Sequence, residues 1–382
     1  MRWTLGVCEF VAVVLSASAA LAAAPDGDAP IPVDAQAEAE LLAIAGDGFA
    51  IRRTDHFVIA HNTSDDIVAN FLTRAERTYN AVFRFCRAGD IPVRAPARRL
   101  AVLFFDTPEG FHRYGDSIGF HSEGASGVFS IHLNRAAFFN TLKTRRMVHL
   151  TNIVTDLENR LSRPPGVTGL RPGERKAARR RLQVMRNQRN RFVTRTNRLV
   201  IQHEVTHQVF YNIGVHTVGA QNPGWLVEGL ACLFETPPNP SGASFAAINQ
   251  MRLRDFRECL TPGDGNFKPR PEHLDHACRS GRFVPLKDLI GDARIFARAA
   301  DPNIVYQYAE AWSLVHYLQR RHQKEFARYI QQLSQRQPSE SFSPQQEVET
   351  FEAIFGPIND HFERRWISYV LRLPFRPAEA GG

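Results

Sequence analysis

The sequence predicts an α+β protein, with a small mixed sheet in front and an all-helical half behind. Two observations carry this reading. Short β-rich runs alternate with helical periods between His56 and Asn134. Beyond that point apolar residues recur almost entirely at helical spacing. Apolar residues make up 43% and charged residues 23% of the 382-residue chain, an ordinary globular composition that excludes global disorder.

"HFVIAHN" (His56 to Asn62) reads as the first strand. Ser64, Asp65 and Asp66 then mark a helix start. Val68, Phe71, Leu72, Ala75 and Tyr79 follow at the helical period, so that helix runs to about Cys86. "RLAVLFFD" (Arg99 to Asp106) suits a buried strand. Thr107 as cap with Pro108 at the first helical position opens a short helix. "SGVFSIHLN" (Ser126 to Asn134) alternates like a half-buried strand. Phe138 to about Leu161 and Pro172 to Asn197 read as helices split by the breaker "RPPGVTG". Helices are also predicted from Pro223 to about Glu235 and from Val305 to Gln319, the latter with Leu314, Val315 and Leu318 in its apolar stripe. Two more flank Gly356-Pro357.

The N-terminus reads as an export signal. Arg2 precedes an apolar run from Leu5 to Leu21, and Ala20-Leu21-Ala22 fits an A-x-A cleavage site. The competing reading is an uncleaved anchor, for which the run is near the short limit. Domain organisation is therefore expected as follows: signal peptide 1–22, mobile leader 23–45, an α+β region 46–235 with a basic helical insertion over 138–198, and a helical region 236–382. Cleavage near Ala22 leaves no stable membrane span and a periplasmic or extracellular product. Export leaves Cys86, Cys232, Cys259 and Cys278 in an oxidising compartment, with Cys259 and Cys278 the most plausible disulfide pair.

The formal charge of +8 is unevenly placed. Arg171 to Arg198 holds eleven basic residues and one acid, Glu174, a net +10, so the rest of the chain carries −2. Its Arg-rich portion, "RKAARRRLQVMRNQRNR" (Arg175 to Arg191), lacks interleaved aromatics and matches no nucleic-acid reader motif. A solvated helical face is the favoured reading, and no nucleic-acid partner is expected.

"LVIQHEVTHQVFYN" (Leu199 to Asn212) contains H-E-V-T-H. On a helix, residues four apart share one face, so His203 and His207 can present two imidazoles to one ion. Glu204 is rotated about 100° from His203 and falls beside that ion, where a general base must stand. Ile201, Val205, Val209 and Ile213 form an apolar stripe that embeds the helix in a core. Polar groups buried there need partners, and one metal ion satisfies them together. Catalytic zinc takes three protein ligands and keeps one open position. Glu228, 21 residues beyond His207 in "GWLVEGLACLFE", is the natural third ligand. Gly229 and Ala231 beside it are small enough to let two helices approach closely.

The pair "HEVTHQ" and "WLVEGLACLFE" resembles the gluzincin superfamily of zinc metallopeptidases, peptidase clan MA, whose pattern is H-E-x-x-H followed by a glutamate ligand. More narrowly it is similar to a bacterial gluzincin-like family described as a domain of unknown function. That family shows H-E-x-T-H-Q, then W-L-x-E-G-L-A, then a helix matched here by Tyr308-Ala309, Trp312 and Leu314 to Leu318. The resemblance covers roughly residues 50 to 374. It implies a gluzincin fold whose edge strand, here "SGVFSIHLN", lines the cleft. It implies one Zn2+ per chain on His203, His207 and Glu228, Glu204 as base and proton shuttle, and a peptide or protein substrate. Tyr308 is the candidate oxyanion donor, with Tyr306 and His316 as rivals. The alternative is a gluzincin-fold binding protein that has lost or repurposed catalysis. One departure favours it. Relatives commonly place an acid four residues after the ligand glutamate, to hold a zinc histidine by its second nitrogen. Cys232 stands there, and Glu235 is nearly a turn further. Cys232 is either a fourth ligand, which would close the site, or a core or disulfide cysteine.

Overall fold

The computed structural model describes residues 27, 29–120, 125–163, 171–236, 247–261, 268–292, 294–297 and 301–376, the side chains of 172 and 193–198 excepted. The expected signal peptide and most of the 163–169 breaker lie outside them. Among the described residues no helix is long and apolar enough to cross a membrane.

The architecture is α+β, as predicted. Strands β1 (Ala50–Arg53), β2 (Phe57–His61), β3 (Leu100–Phe105), β4 (Gly127–Ser130) and β5 (Arg135–Phe139) form one mixed sheet in the order β1-β2-β3-β5-β4. The central strands β2, β3 and β5 are parallel, while β1 and β4 are antiparallel edges. Strand side chains alternate between faces. Phe57, Ile59, Val102, Phe104 and Phe138 face α2 (Asp65–Ala88), and Val58, Ala60, Leu103, Phe105 and Phe139 face α3 (Pro108–Ser117). Burial on both faces explains why "LAVLFF" is continuously apolar rather than alternating. The Thr107 side chain caps α3 by accepting from Gly110 N–H at 3.2 Å.

Four expectations about secondary structure need correction. Residues 35–45, assigned to a mobile leader, form α1 (Ala35–Ala45). Asp34 caps it, Leu41 packs under the sheet, and Glu38 pairs with Arg53 at 2.5 Å. The Ala-, Pro- and Asp-rich composition hid one narrow apolar stripe. "SGVFSIHLN" is not a single strand. β4 ends at Ser130, and the chain turns through Asn134 in the left-handed region (φ 45°) into β5. Phe138 and Phe139 therefore belong to a strand, and the helix expected there starts later, as α4 (Arg145–Ser162). Lastly, the helix expected to stop at Asn197 continues into the H-E-V-T-H segment as one 41-residue helix, α5 (Pro172–Asn212). No Gly or Pro interrupts it after Gly173, so nothing breaks its hydrogen-bond ladder. Its basic N-terminal part packs on α4 through Val154, Leu157 and Leu182.

The helical half comprises α6 (Gly224–Phe234), α7 (Gln250–Cys259), α8 (Leu274–Arg279), α9 (Leu286–Gly291), α10 (Ile304–Arg321), α11 (Gln323–Ser334), α12 (Pro344–Phe355) and α13 (Asp360–Leu371). One core runs from Phe57 in the sheet to Val370 in α13, across the boundary expected at 235. The thiols of Cys86, Cys232, Cys259 and Cys278 are free, so the expected Cys259–Cys278 disulfide is absent. Cys259 instead donates to the carbonyl of Phe256 at 3.0 Å.

Helix α10 runs through the middle of this half, with Trp312, Leu314, Val315 and Leu318 fully buried. Gly229 of α6 lies directly against it. A Cβ there would stand 2.6 Å from both the Ala311 carbonyl oxygen and Val315 Cγ2. A backbone oxygen cannot swing aside. Gly229→Ala is expected to lower the unfolding free energy by about 1–3 kcal/mol through overpacking. Gly173→Ala, where a Cβ meets nothing within 4 Å, is the control and should be neutral or slightly stabilising in denaturant titration.

Candidate metal centre

The centre lies where α5, α6, α7 and α10 meet the edge strand β4. Helix α5 is pinned to the sheet by Gln208, whose amide donates to the Ala101 carbonyl at 2.9 Å. It is pinned to α6 by Gln202, which donates to the Phe234 carbonyl at 2.9 Å. With α5 so held, His203 and His207 face Glu228 on α6. Glu228 Oε2 stands 3.1 Å from His203 Nε2 and 3.4 Å from His207 Nε2. One ligating atom from each of the three lies within 4.8 Å of the others. Tetrahedral zinc with bonds of about 2.0–2.2 Å spaces its ligand atoms about 3.3–3.6 Å apart. The donor set, two imidazole nitrogens and a carboxylate oxygen, fits that ion chemically and in spacing.

Glu204 points to the sheet. Its Oε2 accepts the Phe129 backbone N–H of β4 at 2.9 Å. The carboxylate is thereby aimed between the histidines and the sheet edge.

The second nitrogen of His203 is held by a residue that sequence spacing seemed to place too far away. Nδ1 of His203 lies 3.1 Å from Glu235 Oε1, just past the end of α6. Glu235 is itself locked. Arg252 of α7 donates to both of its oxygens, at 2.6 and 3.0 Å, and Asn249, the α7 cap, donates at 2.7 Å. Glu235 therefore does the work expected of an acid at position 232. Cys232 forms a second close group with His203 and Glu235, which shares His203 with the His203, His207, Glu228 triad but contains neither His207 nor Glu228. Burial pushes its thiol up to about 11 despite nearby Arg252.

The electrostatics follow from this packing. Burial favours neutral Glu228, but His207 and His203 outweigh it and hold the carboxyl well below the usual range. Burial likewise opposes ionisation of Glu235, but Arg252 and His203 bring it down to about 2. Burial opposes charge on His203, yet its hydrogen bonds with Cys232, Glu228 and Glu235 raise its pKa well above the ordinary value.

Of the three candidate oxyanion donors, one is at the centre. The Tyr308 ring of α10 lies 6.0 Å from the His203 ring, and the Arg252 guanidinium carbon stands 5.1 Å from the Tyr308 ring centroid. Burial, then Glu228, raises its pKa. Tyr306 instead packs, partly buried, against the hydrophobic core. His316 is buried in the helical core, its Nδ1 2.9 Å from the Tyr369 hydroxyl. Sequence reasoning missed Arg252 and Asn249, which nothing local marks. It also missed Tyr211, one turn beyond His207, whose ring stands 5.8 Å from Phe129 and 5.0 Å from His216. The i, i+4 spacing from His207 could have found it.

Residues 198–340 match the profile of a family described as "Protein of unknown function (DUF1570)". That segment contains all five candidate residues, His203, Glu204, His207, Glu228 and Tyr308. Comparison with curated proteins finds no match.

His316 makes the packing around the centre testable by pH. Burial, then Arg320, pulls its pKa down to about 4. In the unfolded chain it titrates near ~6.5. Between these values the unfolded state binds the extra proton, so the stability from the neutral imidazole is complete above pH ~6.5 and lost as pH falls. Metal-free wild type should lose roughly 2 kcal/mol more unfolding free energy between pH 7 and pH 5 than His316→Gln, by denaturant titration.

Proposed function

We propose that the protein is an exported zinc metallopeptidase of gluzincin type that hydrolyses peptide bonds. The observation that carries this reading is the convergence of His203, His207 and Glu228, with Glu204 beside them on the sheet edge. Bound zinc supplies Lewis-acid polarisation of the scissile carbonyl and a lowered pKa for the attacking water.

The chain's own residues do the rest. Glu204 takes the proton of the attacking water and returns it to the leaving amine, its carboxylate held in position by Phe129 N–H. Tyr308 donates its hydroxyl proton in a hydrogen bond to the developing oxyanion, and burial keeps that hydroxyl protonated. Glu235 fixes the ring of His203 and its donor nitrogen. The substrate pairs with β4, the open edge of the sheet. In an antiparallel strand one residue's N–H and C=O point the same way. Phe129, whose outward N–H holds Glu204, thus offers its C=O to the substrate, and Gly127 offers both groups. The alternative, a binding protein with the same fold, drew on Cys232 standing where an acid was expected. The contact of Glu235 with His203 Nδ1 supports the catalytic reading instead.

The wild-type protein should retain one zinc per chain through gel filtration, measured by metal analysis. Glu204→Gln should keep the zinc and lose about 10²–10⁴-fold in cleavage of a peptide library, with a chelator abolishing the wild-type activity. A wild type that binds no zinc would falsify the proposal. Glu235→Gln should weaken zinc binding about 10–100-fold in competition with a chromogenic chelator. Tyr308→Phe should lower kcat about 10²–10³-fold with little change in KM. An unchanged kcat would remove Tyr308 from the mechanism.

A further inference from the structure

Helix α2 presents Ile67, Asn70, Phe71 and Arg74 on one face, at spacings of three and four residues, to a partly open cavity of about 210 Å³. The cavity lies between α2, the sheet and α5. Its inner walls are aromatic. The Phe71 ring stands 5.4 Å from Phe104 and 4.9 Å from Phe138, and all three residues are buried. Val200, one turn ahead of Glu204, and Ser126, just before β4, complete the wall nearest the metal centre. The cavity adjoins a wider cleft of about 820 Å³, with which it shares Ile67, Asn140 and Leu142.

Arg74 is out of place in such a lining. Its side chain is partly buried, it shares the lining with Phe71, Phe104 and Phe138, and among the described residues no carboxylate pairs with it. Its charged neighbour is Arg77, of the same sign, which together with burial lowers its pKa. A charge partly removed from water loses part of its hydration, and a counter-charge would offset that cost. Two more cations, Lys143 and Arg189, line the adjoining cleft, and only Lys143 has an acidic partner there, Asp106 at 3.5 Å. The volume is also informative. An apolar cavity of about 150 Å³ stays dry and holds benzene, so this one has room for a ring with a short chain.

We propose that this cavity binds a monoanion with an apolar body, its carboxylate on Arg74 and its hydrocarbon against Phe71, Phe104 and Phe138. An arylalkanoic acid has this chemistry, and so does an apolar residue at the C-terminus of a peptide. The site is independent of the hydrolytic reading, because it uses none of the candidate metal ligands.

The test is calorimetric titration of chelator-treated, full-length protein, which separates it from zinc binding and cleavage. The probes are 3-phenylpropionate and the neutral 3-phenylpropan-1-ol. Wild type should bind the acid at least about tenfold more tightly than the alcohol, the usual effect of one charge-assisted hydrogen-bonded pair. Arg74→Gln should erase that difference, and Arg74→Lys should restore part of it. Ser126→Phe, which fills the cavity wall, should weaken both probes. Thermal melts identify any variant that fails to fold, and the acid–alcohol comparison in wild type needs no variant at all. A second arm uses N-acetyl-Ala-Ala-Phe as free acid and as amide. Binding of the free acid over the amide identifies a peptide terminus as the source. Binding of 3-phenylpropionate alone identifies a free small acid, and either result supports the site. Equal affinity for acid and alcohol, no binding of the acid at millimolar concentration, or full affinity in a folded Arg74→Gln would overturn it.

Discussion

The centre depends on one buried carboxylate. Glu235 sits between the His203 imidazole and the Arg252 guanidinium, almost wholly out of water. Such a carboxylate is tolerable only when its oxygens are fully engaged. Here Arg252 and Asn249 engage both, and His203 takes the remaining direction. The consequence is geometric. With Nδ1 committed to Glu235, the other nitrogen of His203 is turned toward Glu228 and His207. The same guanidinium lies over the Tyr308 ring, so α7 positions both a candidate ligand and the candidate oxyanion donor.

That arrangement requires three helices to meet at short range around α5. Glycine at 229 lets α6, which carries Glu228, lie against the backbone of α10, which carries Tyr308. On the sheet side, Gly127 lets β4 pass under Val200, where a Cβ would stand 2.8 Å from Val200 Cγ1. The strand edge thus reaches Glu204 without an intervening side chain. Both contacts exchange side-chain volume for backbone proximity, as a site shared between helices and a strand requires.

What the sequence made legible was local. The i, i+4 histidines, the stripe Ile201, Val205 and Val209, and the small residues after Glu228 each have a period or size that can be read in one dimension. The strands "HFVIAHN" and "RLAVLFFD" were readable for the same reason. "RAAFF" was not, because five apolar or small residues beside a helical pattern do not reveal whether their period is 2 or 3.6. The helical insertion likewise seemed to end at Asn197 only because its polarity changes there, although nothing in residues 174–212 breaks a helix. Arg252 lies 17 residues beyond Glu235, and their pairing is a product of how α7 folds back. Arg74 offers no signal at all in sequence. A lone arginine on an amphipathic helix reads as solvated until the cavity beside it is seen.

The central claim is that His203, His207 and Glu228 form the metal site while Cys232 stays outside it, behind the Glu235 contact. Zinc K-edge X-ray absorption of the loaded protein tests this most directly. A shell of nitrogen and oxygen only is expected, at about 2.0–2.2 Å, with imidazole scattering from two histidines. A sulfur contribution at about 2.3 Å would place Cys232 on the metal, close the open position, and contradict the account.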